Sequence, residues 1–407
     1  MNGNRLKDLE KLGQSIWLDY IRRDLIVSGR LRRLIEEDGL RGITSNPAIF
    51  EKAISKGHDY DEQIRSLAME GASVETIFEE LTQNDVRSAA DEFRHVYNQT
   101  DGRDGYVSLE LNPHLHDTNG MLAEARRFWD ALNRPNVFIK VPATAAGLPV
   151  IQQLISEGIN VNVTLLFGLP RYRQVVEAYI AGIETLAAEG KSLERVASVA
   201  SFFVSRIDAL VDPLLEKAVP QGGKNADVAR KLRGQVAIAS AKAAYQIFKE
   251  TFGHDRFRRL ADRGARVQRL LWASTSVKTP EYSDLKYVEA LIGPDTVNTV
   301  PRETLEAYRD HGDARPQLER HLGEAHGTLE RLGELGIDLG QLTQRLEDEG
   351  VAKFNQSIDK LMRTLEESST RILASEALRE SRLKEAPPLE QARTEEEDMW
   401  RNEGNPN

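Results

Sequence analysis

Residues 136–183 read NVFIKVPATAAGLPVIQQLISEGINVNVTLLFGLPRYRQVVEAYIAGI, and the succession of patterns in this stretch decides the fold. Residues 136–141 and 160–165 are short apolar runs with β-branched residues, set apart by a longer amphipathic stretch. That pattern marks parallel strands joined by a crossover helix. After Leu165 the positions Tyr172, Val175, Val176, Tyr179, Ile180 and Ile183 recur at helical spacing and form one apolar stripe. Outward from this unit, further strands are predicted at 15–19, 42–45, 105–110, 196–203, 270–274 and 296–300. Together these are eight strands, the number that closes a parallel barrel. The predicted fold class is α/β, a (β/α)8 TIM barrel with helical insertions and a long C-terminal helix.

The insertions lie where connections are too long for one helix. Between the second and third strands, Ile54, Ile64, Leu67, Val74, Ile77, Phe78 and Leu81 predict several helices, and residues 212–255 predict another helical insertion broken at Gly222–Gly223. Pro301 is placed to open a helix after the eighth strand. Leu342, Leu346, Val351, Phe354, Ile358, Leu361, Met362 and Leu365 trace the long C-terminal helix. One unit is expected over 1–380, with 381–407 an acidic, disordered tail on account of Pro387–Pro388 and the run 395–398. The chain has 407 residues and a formal net charge of −10, which argues against nucleic acid as a partner. Zero cysteines exclude thiolate chemistry and thiolate metal sites. Without a signal-peptide pattern or a long apolar run, a cytoplasmic location and no membrane partner are expected.

The chemistry is written at the strand ends. In Val137-Phe138-Ile139-Lys140-Val141 the lysine shares its face with Phe138, away from easy contact with water. Burial disfavours a charged amine, and a neutral amine is a nucleophile toward carbonyls. Asp19 ends the first strand, Asn46 follows the second, Glu110 ends the third, Asn162 and Thr164 share a face of the fifth, Ser201 and Phe203 share a face of the sixth, and Ser274 and Ser276 close the seventh. The C-terminal ends of barrel strands form the catalytic face. Burying so many polar groups at one place costs about 1–3 kcal/mol for each that stays unpaired, which points to function.

Three segments carry a resemblance. Thr44-Ser45-Asn46-Pro47, Phe138-Ile139-Lys140-Val141-Pro142-Ala143-Thr144 and Gly158-Ile159-Asn160-Val161-Asn162-Val163-Thr164-Leu165-Leu166-Phe167 resemble, in order, the motifs of the transaldolases, which belong to the class I Schiff-base aldolases. The length, the long second connection and Trp272-Ala273-Ser274-Thr275 are similar to the longer bacterial subfamily. The resemblance implies a transferase of the pentose phosphate pathway that needs no cofactor or metal. Such an enzyme moves a dihydroxyacetone unit between sedoheptulose 7-phosphate or fructose 6-phosphate and glyceraldehyde 3-phosphate or erythrose 4-phosphate. It implies that Lys140 forms the Schiff base, that Asp19 takes the proton from the hydroxyl at the carbon being cleaved, and that Glu110 works through a water held partly by Thr164. Asn46, Asn162 and Ser201 are implied to hold substrate hydroxyls and orient the lysine, with Phe203 and Ser274 beside them. Arg206 matches one of two phosphate-binding arginines of the shorter transaldolases. The second is replaced by Ser276, and Lys278 is the natural substitute cation.

Other motifs carry less. Gly190-Lys191-Ser192 lacks the earlier glycine of a P-loop, since Thr185 stands there. His114-Leu115-His116-Asp117 has two histidines without a well-placed third ligand, a pattern more typical of loop hydrogen bonding than of a metal site. Two alternatives to transfer are a fructose-6-phosphate-type aldolase, in which water rather than an aldehyde meets the enamine, and a sugar-phosphate-binding barrel without catalysis. The carboxylate of Glu110 fits transaldolase better than the tyrosine of the aldolases.

Overall fold

The computed structural model describes residues 4–55 and 57–385. Eight parallel strands form a closed barrel in chain order: β1 (Gln14–Asp19), β2 (Gly42–Thr44), β3 (Tyr106–Glu110), β4 (Val137–Pro142), β5 (Val161–Leu166), β6 (Ser198–Phe203), β7 (Arg269–Ala273) and β8 (Thr296–Val300). Closure comes from β1 pairing with β8, with Trp17 opposite Thr299. Every predicted strand is present, within two residues at its ends. Ser274 falls outside β7 because its φ of 54° turns the chain out of the ladder.

Helices cover the outside of the barrel. The stripe predicted after Leu165 is buried in the helix Leu169–Ala188, and the helices Pro47–Ser55, Asp61–Met69, Val74–Glu92 and Arg94–Gln99 fill the β2–β3 connection. The second insertion is built from Ser205–Ala218, Gly223–Leu232 and Val236–Gly253, broken by Gly222 and Gly223 at positive φ. Pro301 caps the helix Arg302–His311 from just outside its first turn. The C-terminal helix Leu339–Glu385 is 47 residues long and runs past the expected limit at 380. The remainder of the expected tail, 386–407, lies outside the described residues. No helix among the described residues is long and apolar enough to cross a membrane.

Alternation along the strands sorts the interior into tiers. Ile16, Leu18, Ile43, Val107, Leu109, Ile139, Val161 and Val163 face outward into the main core under the helices. Inward, Trp17, Tyr106, Phe138, Val199, Leu271 and Val297 form an aromatic and aliphatic plug. Tyr106 and Phe138 stack with ring centroids 4.2 Å apart. Gly42 is required beside this plug, because a Cβ there would lie 2.6 Å from the Trp17 ring. Below the plug, at the N-terminal end, sits a polar floor of Ser15, Asp104 and Arg269. Above it sit the polar residues that end the strands.

Candidate active site

Strand register brings the key residues together. Lys140 is the register partner of Glu110 on one side and of Asn162 on the other. Neighbouring strands lie about 4.8 Å apart, so inward side chains in register touch. Lys140 is 5% exposed, and its Nζ donates to the Ser45 carbonyl at 2.9 Å and to Glu110 Oε2 at 3.2 Å. Asp19 sits across the barrel mouth, where its Oδ1 accepts from Thr44 Oγ1 at 2.7 Å. The Thr44 hydroxyl is also 2.7 Å from that of Thr299.

The two carboxylates are short of positive charge. Burial pushes the Glu110 carboxyl up to about 7; the Lys140 charge and hydrogen bond oppose this, and the negative charge of Asp19 adds to it. Burial likewise raises Asp19 above the ordinary aspartate range, against the pull of Lys140 and the Thr44 hydrogen bond. A single ammonium thus serves two buried acids. A carboxyl with this affinity for protons near neutrality can take up and return a proton beside an amine.

Further polar residues complete the tier. Ser201 Oγ donates to Asn162 Oδ1 at 2.6 Å, and Asn162 Nδ2 donates to Ser108 Oγ at 3.0 Å, so a hydrogen-bonded chain ties β6, β5 and β3 together. Asn46 uses its Oδ1 to cap the helix Pro47–Ser55 through Ile49 N at 3.1 Å. Thr164 Oγ1 is buried and has no partner among the described residues. It lies where the β5–β6 register shifts between Val163 and Leu166, beside Leu165 at φ 55°. A non-glycine residue in this region carries strain of about 1–3 kcal/mol. Phe203 forms a wall with Phe167, their centroids 5.0 Å apart.

Two cavities open at the mouth. One of about 210 Å³ is lined by Ser205, Arg206, Lys278, Thr279, Glu349 and Lys353, among others. Arg206 stands in the first turn of the helix Ser205–Ala218, whose N-terminal dipole favours an anion. The segment that carries Lys278 is anchored by Thr275 Oγ1 donating to Asn298 Oδ1 at 2.9 Å, and the Ser274 and Ser205 hydroxyls lie 3.0 Å apart. Neither Arg206 nor Lys278 has an ion-pair partner among the described residues. The second cavity, of about 510 Å³, adjoins Glu110 and is lined by His116, Pro142, Thr144, Arg171, Glu347 and Phe354, among others.

The eleven residues given a catalytic or binding role in the sequence therefore lie at the mouth: Lys140, Asp19, Glu110, Thr164, Asn162 and Ser201 in one polar tier, Asn46 and Phe203 at its rim, and Ser274, Arg206 and Lys278 toward the cationic cavity. Ser108, Thr44 and Thr299 also belong to this tier, with no role assigned to them from the sequence. Ser108 could have been found, because it stands two residues before Glu110 on the same face. His114 pairs with Asp359 at 2.7 Å, and Asp117 caps the helix Thr118–Leu132 through Gly120 N at 2.8 Å. Both therefore serve as hydrogen-bonding loop residues.

The Transaldolase/Fructose-6-phosphate aldolase family model matches residues 16–365. The chain belongs to this family. It is 48% identical to a Transaldolase of Saccharopolyspora erythraea over 89% of this chain and 97% of that protein. It is 46% identical to Transaldolase 2 of Nostoc sp. over 89% of this chain and 97% of the relative. A Transaldolase of Mycolicibacterium smegmatis is 46% identical over 88% of this chain and 95% of its own length. The matched span runs from β1 into the C-terminal helix, so the family resemblance covers the whole barrel and its mouth.

Proposed function

We propose that this protein is a transaldolase of the pentose phosphate pathway, acting in the cytoplasm on sugar phosphates. Lys140 passes a proton to Glu110, its amine adds to the C2 carbonyl of fructose 6-phosphate or sedoheptulose 7-phosphate, and loss of water gives the iminium. Asp19 takes the proton of the C4 hydroxyl. The C3–C4 bond breaks, its electron pair flows into the iminium, and an aldose phosphate leaves. The three-carbon enamine then adds to the aldehyde of erythrose 4-phosphate or glyceraldehyde 3-phosphate, and Asp19 returns the proton. Water releases the new ketose and restores Lys140. The iminium receives the electrons, so the chemistry calls for no cofactor. Glu110 moves protons through a water shared with the unpartnered Thr164 hydroxyl, which suits a carboxyl that titrates near 7.

Binding follows the same geometry. Asn162, Ser201 and Asn46 hold the ketose hydroxyls, Phe203 bounds the carbon chain, and Ser274 borders the phosphate cavity. Arg206 and Lys278 hold the phosphate. The observation that carries the reading is a buried lysine hydrogen-bonded to one of two carboxylates that burial holds above their ordinary range. The test is to supply fructose 6-phosphate with and without erythrose 4-phosphate. Transfer predicts sedoheptulose 7-phosphate and glyceraldehyde 3-phosphate only with the acceptor present. Steady release of free dihydroxyacetone without an acceptor would instead mark an aldolase.

A further inference from the structure

The C-terminal helix Leu339–Glu385 lies across the barrel mouth and separates its two cavities. At Gly350 the approach is so close that a Cβ would stand 2.9 Å from Leu165 Cδ2. Gln344, Glu347, Val351 and Phe354 wall the cavity beside Glu110. Leu346, Glu349 and Lys353 wall the cavity that holds Arg206 and Lys278. Residues three, four and seven apart share a helix side, so this second face is presented as a unit.

Lys353 is only loosely committed on that face. Glu349 is bonded to Arg345 at 2.7 Å, whereas Lys353 Nζ lies 3.5 Å from Glu349 Oε2 with 54% of its side chain exposed. Exposed pairs of this spacing hold their partners weakly. Across the cavity, partial desolvation first, then the positive charges of Arg206, Lys353 and Lys52, hold the Lys278 ammonium below the usual lysine range. Three cations around a cavity of about 210 Å³ repel one another. A multiply charged anion placed among them turns that repulsion into attraction.

We propose that Lys353 is a third phosphate-binding cation, delivered by the C-terminal helix and turning from Glu349 to the phosphate group that Arg206 and Lys278 hold. The proposal rests on the sugar-phosphate reading above and extends it by making the C-terminal helix part of the binding site. The lysine acts as a point charge on a flexible stem, able to follow a phosphate without a fixed fork geometry.

The test uses the full chain with inorganic phosphate as a competitive inhibitor, and compares kcat/KM for fructose 6-phosphate with that for unphosphorylated fructose. Lys353→Gln is expected to weaken phosphate inhibition about tenfold and to lower the ratio of the two kcat/KM values by a similar factor, the scale of one charge-assisted hydrogen bond. Lys353→Arg should recover most of both. Lys52→Gln removes a nearby charge that does not line the cavity, and is expected to change either quantity less than about twofold, as a screened surface charge would. Unchanged phosphate inhibition in Lys353→Gln overturns the proposal, as do equal losses on the two sugars or an equal effect from Lys52→Gln. Failure of the catalytic reading shows separately, as an absence of any covalent adduct on Lys140, while direct calorimetric titration of wild type and Lys353→Gln with inorganic phosphate still reports on Lys353.

Discussion

The barrel buries two ionic clusters, one above the aromatic plug and one below it, and they are built to opposite ends. Side-chain exposure is nearly the same: 7% and 8% for Lys140 and Glu110 at the mouth, 7% and 6% for Arg269 and Asp104 at the floor. At the floor the charges are matched one to one. Arg269 donates to Asp104 at 3.0 Å, to Ser15 Oγ at 2.6 Å and to the Thr296 carbonyl at 2.7 Å, while Ser15 Oγ donates to Asp104 Oδ2 at 2.8 Å. Only Arg269 Nε in this network lacks a partner among the described residues. At the mouth two carboxylates compete for one ammonium, and the Thr164 hydroxyl has no partner. A charge-matched buried network specifies structure, while an imbalanced one keeps protons and lone pairs available for chemistry.

The strongest way to break this contrast is to remove the nucleophile. Lys140→Ala should lower kcat/KM by at least about 10³-fold, since it removes the amine that sits in the polar tier beside Glu110, and a transfer assay measures it. At the floor the expected loss is in stability instead. Asp104→Ala leaves Arg269 buried without its counterion and should cost about 3–5 kcal/mol in urea unfolding. At temperatures where the variant is folded, its kcat should stay within about twofold of wild type, as for a site remote from the chemistry.

Two substitutions at the mouth sharpen the contrast. Glu110→Gln should lower kcat by about 10²-fold, the lower end of general acid–base effects. It should also change the pH dependence of stability. Folded Glu110 titrates at about 7 against the ordinary 4.5, so between these values the folded chain holds a proton that the unfolded chain has released. Wild type therefore loses stability as pH rises through that window, and the Tm of Glu110→Gln relative to wild type should climb from pH 4.5 to pH 7 and then level off. Thr164→Val should have the smallest effect, a kcat lower by about tenfold with stability unchanged or raised, because it removes a polar group that is buried and unpaired. A large stability loss in Thr164→Val would mean that its hydroxyl belongs with the satisfied kind.

Much of this was legible in the sequence because barrels obey short-range rules. Period-two alternation put Lys140 with Phe138, Asn162 with Thr164 and Ser201 with Phe203 on shared faces, and in the barrel those faces turn inward. The polar chain through Ser108 was equally local, two residues from Glu110, and needed only the same rule. What could not be read was anything set by tertiary approach. Lys353 lies 213 residues from Lys140 on a helix whose position depends on the contact of Gly350 with Leu165, and no local pattern encodes that contact. The floor was hidden for a related reason. Asp104 precedes β3, and Arg269 opens β7 one residue before the predicted strand, so neither stood out as an inward charge.

The central claim is that the imbalance at the mouth serves a nucleophilic lysine, and borohydride trapping tests it most directly. Wild-type protein incubated with fructose 6-phosphate and reduced should gain one three-carbon unit per chain, mapped by peptide mass to Lys140 and missing from Lys140→Ala. Wild-type protein without an adduct, or an equal adduct on Lys140→Ala, would contradict the account.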